Sequence, residues 1–285
     1  MEENNHKVSV YIATCNRLNK LKRAIESVKN QDYKNIEILI CDDASTDGTR
    51  LFSENLALQD TRVKYFRNEE NKGACATRNL GIFNATGKFI TGLDDDDVFV
   101  KDRISFFVRN WSDNYSFTCT NFENKFFDKS IINYRGRKKI KLNYSNLLFS
   151  NEASNQVFTL TKRLCSIGGF DESVKRLQDW DTWLRLSYAY GPFVRYPESK
   201  YIMYHDHEQN EKRVSKSYPF VMALQDMAKR NENIYGEKGL LIINYIFLSV
   251  ERKLKLPQLI KWIMLEKKPI KVMKYVHNYF KINRI

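Results

Sequence analysis

The sequence predicts an α/β protein. Its core is a doubly wound, mostly parallel central sheet flanked by helices, and a helical, basic C-terminal extension follows. Three observations carry the prediction. Short runs rich in β-branched and aromatic residues alternate with stretches whose apolar residues recur at helical spacing. Such alternation over the first hundred residues is the pattern of parallel strands joined by crossover helices. After Ser217 the pattern turns helical and increasingly cationic.

The elements follow in order. Val8 to Ala13 (VSVYIA) is the first strand, and Leu18, Leu21, Ile25 and Val28 then recur at helical spacing with Lys and Arg between them. Ile36 to Cys41 (IEILIC) is the second strand and ends in Asp42-Asp43. Ser45, Thr46 and Asp47 supply caps for the next helix. Val63 to Phe66 is a short strand, Asn71 to Gly81 opens another helix, and Lys88 to Leu93 is the strand before Asp94-Asp95-Asp96-Asp97. From Lys101 the pattern loosens into a helix over Arg103 to Trp111 and strands over Ser116 to Phe122 and Gln156 to Thr161. Arg135 to Lys141 (RGRKKIK) is a basic run of the kind found on solvated loops. A turn at Gly168 to Glu172 leads into a helix from Gln178 to Leu186, with Trp180, Trp183 and Leu184 as its core face. Its first turn holds Asp179 and Asp181, where acidic residues also favour the helix dipole. Phe193 to Tyr204 is strand-like and ends in Tyr204-His205-Asp206-His207.

With 285 residues the chain suffices for one large domain and an appendage. Residues 1–216 form the domain, with a first half to residue 100 and a second from 101, and 217–285 form the basic region. The net charge of +13 asks for an acidic partner: nucleic acid, an anionic membrane surface or an anionic substrate. Cys15, Cys41, Cys75, Cys119 and Cys165 are scattered, odd in number and without a C-x-x-C pair. That argues against a disulfide framework or structural zinc and for a reducing cytosol. No signal peptide is visible. The longest apolar stretch, Gly239 to Val250, falls short of the roughly 20 residues a spanning helix needs.

The chemistry sits at strand ends. Ligands bind outside the carboxyl ends of strands in doubly wound sheets. Thr14-Cys15-Asn16-Arg17, Asp42-Asp43 and Asp94 to Asp97 place polar groups on that one edge. The four aspartates read either as a solvated turn or as a metal site built to receive a diphosphate. Their mutual repulsion directly after a buried strand favours the second, since a hard divalent cation would relieve it. Neither G-x-x-x-x-G-K nor G-x-G-x-x-G is present, so a nucleotide would be held by side chains and a metal.

Several segments resemble family 2 glycosyltransferases. Val8 to Arg17 (VSVYIATCNR) is similar to the opening strand of that family, and Cys41 to Thr49 (CDDASTDGT) to its second signature. Asn71-Lys72-Gly73 with Ala76 to Gly81 (ATRNLG) resembles the third, and Leu93 to Asp97 (LDDDD) the D-x-D metal motif. Gly168 to Glu172 with Gln178-Asp179 and Trp183-Leu184-Arg185 is similar to the acceptor-side signature. The resemblance covers roughly residues 7 to 210. It implies the GT-A fold, a Rossmann-like sheet that binds a nucleotide diphosphate sugar with Mn²⁺ or Mg²⁺, and inversion at the anomeric centre. By the same resemblance, Ala13, Thr14, Cys15 and Arg17 line the nucleoside pocket. Asp43 accepts a hydrogen bond from the base, most simply uracil, and Arg78 lies near the nucleotide. Asp94 and Asp95 reach ribose or metal-bound water, Asp96 ligates the metal, and Asp179 is the general base. His207 falls where some members place a further metal ligand, although a lone histidine is as readily structural. Ala13 stands where the family has proline, Cys15 where it has tyrosine, and Gln178 where it has glutamate.

The function implied is transfer of a hexose or N-acetylhexosamine from a UDP-sugar donor to a hydroxyl of a glycan acceptor. From Glu251 to the end, ten basic and two acidic residues interleave with aromatic and aliphatic ones. Such a segment reads as a membrane-surface element or as a helix packed on the domain. With the first reading, the acceptor is a polyprenyl-diphosphate-linked sugar. The enzyme then lies at the inner face of the bacterial cytoplasmic membrane and builds O-antigen, capsule or similar glycans. Two rivals stand. A nucleic-acid-binding protein would use the charge, but no base-reading module is evident, and nucleic acid is not expected as a partner. A sugar nucleotidyltransferase would share the metal and nucleotide but not the Asp179 helix. The sequence leaves the oligomeric state open.

Overall fold

The computed structural model describes residues 5–134, 136–153, 155–206, 218–266, 269, 270, 272, 273, 276 and 277. His207 therefore lies outside the described residues, as do several cations of the tail. Two compact units divide the chain. The first takes Met1–Leu147, Asn151–Glu172 and Asp179–Gln209, and the second takes Leu148–Ser150, Ser173–Gln178 and Asn210–Ile285.

The first unit is built on one sheet. β1 (Val8–Thr14), β2 (Ile36–Asp42), β3 (Val63–Arg67) and β4 (Phe89–Asp94) alternate with α1 (Leu18–Lys29), α2 (Thr49–Gln59) and α3 (Ala74–Asn84). Then come β5 (Val98–Phe99), α4 (Arg103–Arg109), β6 (Thr118–Lys125), β7 (Ser130–Ile132), β8 (Ile140–Leu142) and α5 (Tyr144–Leu147). β9 (Phe158–Leu160), α6 (Thr161–Ser166), α7 (Gln178–Tyr190) and β10 (Phe193–Tyr204) complete the series. The sheet order is β3-β2-β1-β4-β9-β6-β10-β5, with β7 added to β6 and β8 to β10.

The expected parallel pairing holds across β3, β2, β1 and β4. Beyond β4 the sheet is mixed: β9 runs antiparallel to both β4 and β6, and β6 runs parallel to β10. The predicted strand Gln156 to Thr161 is only Phe158–Leu160, because Thr161 already opens α6. Strand direction leaves no mark on a three-residue buried run, so the sequence could not report it.

β2 is buried at all seven positions, as a central strand covered on both faces must be. α1 buries Leu21, Ala24, Ile25 and Val28, the i, i+3, i+4, i+7 stripe read from the sequence. Phe89 and Phe107 stack on opposite sides of Phe158, with centroids 4.9 and 5.1 Å from it, and close the core under β4 and β9. Asp47 is the useful member of the predicted cap trio. Its carboxylate accepts from Thr49 N at the start of α2 and from Leu18 N at the start of α1, joining two helix ends.

At the amino-terminal edge of the sheet, Glu37 of β2 is buried among five donors. Ser9 Oγ (2.6 Å), Lys64 Nζ (2.9 Å), Thr86 N (2.6 Å), Thr86 Oγ1 (2.8 Å) and Gly87 N (3.2 Å) all point at its carboxylate. Burial opposes its charge, but bonds from Ser9, Lys64 and Thr86 outweigh it and hold the carboxyl near 2, against an ordinary 4.5. A carboxylate depressed in the folded state stabilises above its unfolded pKa, and that contribution is lost as pH falls from about 4.5 toward 2. Glu37→Gln is therefore expected to cost on the order of 2–3 kcal/mol at neutral pH and to flatten the acid limb of stability. Urea unfolding at a series of pH values measures both.

The second unit is helical: α8 (Phe220–Arg230), α9 (Glu232–Val250) and α10 (Leu256–Glu266). α9 is broken at Gly236, whose φ of 60° lies in the left-handed region that favours glycine. Among the described residues, no helix is long and apolar enough to cross a membrane.

Candidate active site

The register of the parallel strands brings the polar strand ends together. Thr14 pairs with Asp42, and Ala13 pairs with Cys41 on one side and Asp94 on the other. The loops after β1 and β2 then lock onto each other. Asn16 and Ala44 both take left-handed backbone, with φ of 54° and 56°. Asn16 N donates to Ser45 Oγ, and Asn16 Oδ1 accepts from Thr46 N. Non-glycine residues held in that region at a strand end are a mark of functional loops.

Asp43 is buried and accepts from Asn68 Nδ2 (2.9 Å), Lys72 N (2.8 Å) and Gly73 N (2.9 Å). It thus anchors the N-K-G loop to β2. Asp42, fully buried, accepts from Tyr65 OH, the Arg67 guanidinium and Ser45 N, which makes it a structural carboxylate. Cys15 is half-buried, donates from Sγ to Asp43 O and accepts from Asn71 Nδ2. Burial, with Asp43 beside it, pushes its thiol up. Ala13, Thr14, Cys15, Arg17 and Asp43 therefore share one neighbourhood.

The acidic run does not fire outward as a block. Asp95 and Asp97 are buried, whereas Asp94 and Asp96 stay partly exposed. Asp94 accepts from Arg78 Nη2, Asn155 Nδ2 and Gln156 Nε2, each at 3.1 Å. Asp95 accepts from Thr14 Oγ1 (2.7 Å) and Arg17 Nη1 (3.1 Å). Arg17 also reaches Asp96 Oδ2 at 3.4 Å, and Arg23 donates to the Asp96 carbonyl. Asp97 accepts from Tyr201 OH (2.8 Å) and Tyr204 N (2.9 Å). Arg17 from the loop before α1 and Arg78 from α3 thus share the charge of the run, while Arg23 of α1 holds the Asp96 backbone. What stays unfavourable is burial. It pushes Asp95 up to about 6, against the pull of Arg17, and raises Asp97 well above the carboxylate range, with Asp96 and Asp94 adding to it.

Asn155, Gln156 and Tyr11 escaped the sequence reading. Tyr11 OH donates to Gln156 Oε1, which turns the amide of Gln156 onto Asp94. This arrangement requires Gly92, because a Cβ there would overlap both Tyr11 and Gln156. The glycine before the aspartates was the available signal.

Asp179 stands on the first turn of α7. Its Oδ1 is shut off from solvent and has no hydrogen-bond partner among the described residues. Burial pushes its carboxyl up to about 7, Arg78 pulls it down, and Asp94 adds a small upward push. Arg78 lies over the Phe170 ring, and Asp179 and Asp94 hold its charge against the cost of burial. The other first-turn acid, Asp181, is structural. It accepts from Arg185 Nε at 2.9 Å, and the same guanidinium donates to Ile167 O and Gly169 O. Asn79 of α3 grips the turn from the opposite side, bonding Phe170 N and O at 2.9 Å. The W-L-R and R-N-L-G segments thus position the turn before α7. Trp180, Trp183 and Leu184 are buried as expected.

The metal reading can be weighed on the donor set. Among the described residues no three His, Cys, Asp or Glu side chains converge as a protein-only cage. Asp96, a half-buried oxygen donor at the edge of the site, suits Mn²⁺ or Mg²⁺, which are commonly held by one or two carboxylates together with substrate phosphates. The residues present fit a metal that arrives with a diphosphate. His205 is not part of that set: its Nε2 bonds Asn124 Oδ1 at 2.9 Å and its ring stacks on Phe126.

A parallel half-sheet, a carboxylate run at its carboxyl edge and a separate acid on a downstream helix, one oxygen of it shut off from solvent, place the protein in the GT-A class of glycosyltransferases. Within that class, the chain belongs to glycosyl transferase family 2, whose family model matches residues 9–170. It is 35% identical over 209 residues to the putative colanic acid biosynthesis glycosyl transferase WcaA of Escherichia coli K12, spanning 72% of this chain and 75% of that protein. It is 33% identical over 157 residues to a Campylobacter jejuni GalNAc(5)-diNAcBac-PP-undecaprenol beta-1,3-glucosyltransferase, covering 55% of this chain and 48% of the relative. Among solved structures, S. aureus TarS 1-349 in complex with UDP-GlcNAc superposes with a TM-score of 0.68 at 18% identity, over 91% of this chain and 79% of TarS. The mannosyltransferase PcManGT from Pyrobaculum calidifontis, in complex with GDP-Man and Mn²⁺, gives 0.58 at 15% identity, over 97% of this chain and 85% of its own. At these identities the two structures speak for the fold.

Proposed function

We propose that the protein is a metal-dependent, inverting glycosyltransferase. It moves a hexose or N-acetylhexosamine from a UDP-sugar to a hydroxyl of a polyprenyl-diphosphate-linked glycan in bacterial surface polysaccharide synthesis. The observation that carries this reading is the Asp179 carboxyl, one oxygen shut off from solvent, in the electrostatic reach of Arg78, which is itself bonded to Asp94 at the strand edge. The names of the relatives, which include undecaprenol-linked acceptors and colanic acid, support the acceptor class.

In this reading Ala13, Thr14, Cys15 and Arg17 flank the nucleoside, and Asp43 reads the base with the capacity left on its Oδ2. Asp94, oriented by Arg78, Asn155 and Gln156, faces the ribose side. Asp96 would hold Mn²⁺ or Mg²⁺, with His207 as a second candidate ligand. When bound, that ion neutralises charge on the departing diphosphate. Asp179 takes the proton of the acceptor hydroxyl as its oxygen bonds to the anomeric carbon. The bond from that carbon to the diphosphate breaks on the opposite face, and UDP departs. No protein nucleophile is needed.

UDP is expected to bind at least tenfold more tightly than GDP or ADP in calorimetry with Mn²⁺, since a site that hydrogen-bonds one base edge leaves polar groups unpaired with another. Equal affinities would sink the assignment of Asp43. NMR anomeric couplings of the product test inversion, and retention would overturn the mechanism.

The basic tail combines its two readings. Trp262 of α10 is fully buried and faces Tyr245 of α9 at 6.1 Å, so α10 packs within its own unit. Leu256, Ile260 and Met264 form an i, i+4, i+8 line exposed at 68%, 50% and 71%, on roughly the opposite side of the helix. In this reading the protein binds anionic membrane peripherally at the cytoplasmic face, through this line and the surrounding lysines. Ile260→Asp with Met264→Asp is expected to lower partition onto phosphatidylglycerol vesicles about tenfold or more without unfolding the protein. Co-sedimentation against lipid concentration checks it, and unchanged partition would leave α10 a purely structural helix.

A further inference from the structure

The basic run at 135–141 and the hairpin before it belong to no part of the site described above. The hairpin is β6 and β7, closed by Phe126 to Lys129. Phe127 at its tip is wholly exposed, and Ile131, Ile132 and Ile140 are exposed at 49%, 58% and 41%. Monomeric proteins seldom present such side chains together without a partner. Between Lys125 and Lys141, six described residues are Lys or Arg, all exposed, against the single acid Asp128.

The base of the hairpin is tied to β10 and adjoins the acidic run. Lys125 pairs with Tyr204 across the sheet, and Tyr204 N donates to Asp97. His205 N donates to Lys125 O at 2.9 Å, and its ring stacks on Phe126 at 4.3 Å with 8° between planes. Phe126 is thereby turned back onto the protein while Phe127 points into solvent. An exposed aromatic with flanking aliphatics and a single-sign field of cations is the composition of a surface that meets anionic lipid. The apolar side chains enter the headgroup boundary and the lysines neutralise phosphates.

We propose that the β6–β7 hairpin, with the Arg137 to Lys141 segment, is a membrane-contact edge that sets the acidic run against an anionic bilayer. This rests on the reading of a lipid-linked acceptor, and names the surface from which that acceptor is taken. The occupant is the lipid headgroup layer, favoured by charge complementarity over a neutral glycan or a second copy of the chain.

The test uses the full chain. Phe127→Asp should lower the partition coefficient onto phosphatidylglycerol-containing vesicles about tenfold, as losing one buried phenylalanine predicts. Lys138→Glu with Lys139→Glu should lower it by a larger factor at low salt than at high salt, because the attraction is screened. Phe127→Trp should retain binding and gain fluorescence quenched by brominated lipid beyond that of the wild type. All three should keep the wild-type melting temperature and the wild-type release of UDP from UDP-sugars in water. Unchanged partition for Phe127→Asp and for the charge pair overturns the proposal. So does a loss of UDP release, which would place the hairpin in the sugar site, or a change in sedimentation coefficient, which would make it a subunit interface. A wild-type protein that releases no UDP from any UDP-sugar refutes the proposed donor, while the vesicle measurements still decide the hairpin.

Discussion

Asp179→Asn is expected to lower kcat by about 10²–10⁴, the usual contribution of a positioned general base, while nucleotide affinity stays within about twofold. The asparagine keeps the shape of the side chain and removes its ability to take a proton. The pH dependence is the sharper test. A base must be ionised to act, and burial holds Asp179 near 7, so kcat/KM should rise with pH through about 7 and level above it. Arg78 acts in the opposite sense to burial. Arg78→Gln removes the positive charge that favours the carboxylate, so the rising limb should move to higher pH by on the order of one unit or more. An acid limb near 4 in the wild type, or one indifferent to Arg78, would exclude Asp179 as the base. Loss of activity at Asp179→Asn with UDP binding retained would also separate this enzyme from a nucleotidyltransferase, which has no use for that helix.

Asp96→Ala is expected to reduce turnover by about 10³ or more, since stabilising the leaving diphosphate accounts for several kcal/mol of the barrier. The variant should fold, because the loop is held by other contacts: Asp95 by Thr14 and Arg17, and Asp97 by Tyr201 and Tyr204. Calorimetry supplies a readout besides rate. UDP binding should lose its dependence on Mn²⁺ in Asp96→Ala, and excess EDTA should bring the wild type to the same affinity. Asp97→Asn should keep that dependence, because its carboxylate faces Tyr201 and the Tyr204 amide and not the site. Full activity of the wild type in EDTA would refute the metal requirement.

The arrangement explains why four consecutive aspartates can follow a buried strand. The carboxylates draw partners from three parts of the fold: α3 and the loop before β9 for Asp94, Arg17 in the loop after β1 for both Asp95 and Asp96, and β10 for Asp97. Like charges at adjacent positions are thereby pulled to different sides of the chain, two inward and two toward the site.

Local pattern was enough to read the first four strands, the three helices between them and the common edge on which their polar ends meet. Period-2 and period-3.6 burial is a property of neighbours in sequence, and parallel strands joined by helices have only a few ways to assemble. It also placed Asp43 and Asp94 to Asp97 on that edge, whereas Arg78 and Asp179 were singled out by the resemblance to family 2 glycosyltransferases. The antiparallel insertion of β9 depended on pairings distant in sequence, Phe89 with Leu160 on one side and Thr118 with Phe158 on the other. The same distance hid Asn155 and Gln156, two ordinary amides until the sheet sets them on Asp94. Burial, too, was decided only in three dimensions. The sequence counts four equal negative charges, but a carboxylate's energy depends on the solvent it loses and the donors it meets. Tertiary packing alone determined that Arg17 and Arg78 share the charge of the acidic run, that Asp97 turns to Tyr201, and that one carboxylate oxygen of Asp179 is shut off from solvent.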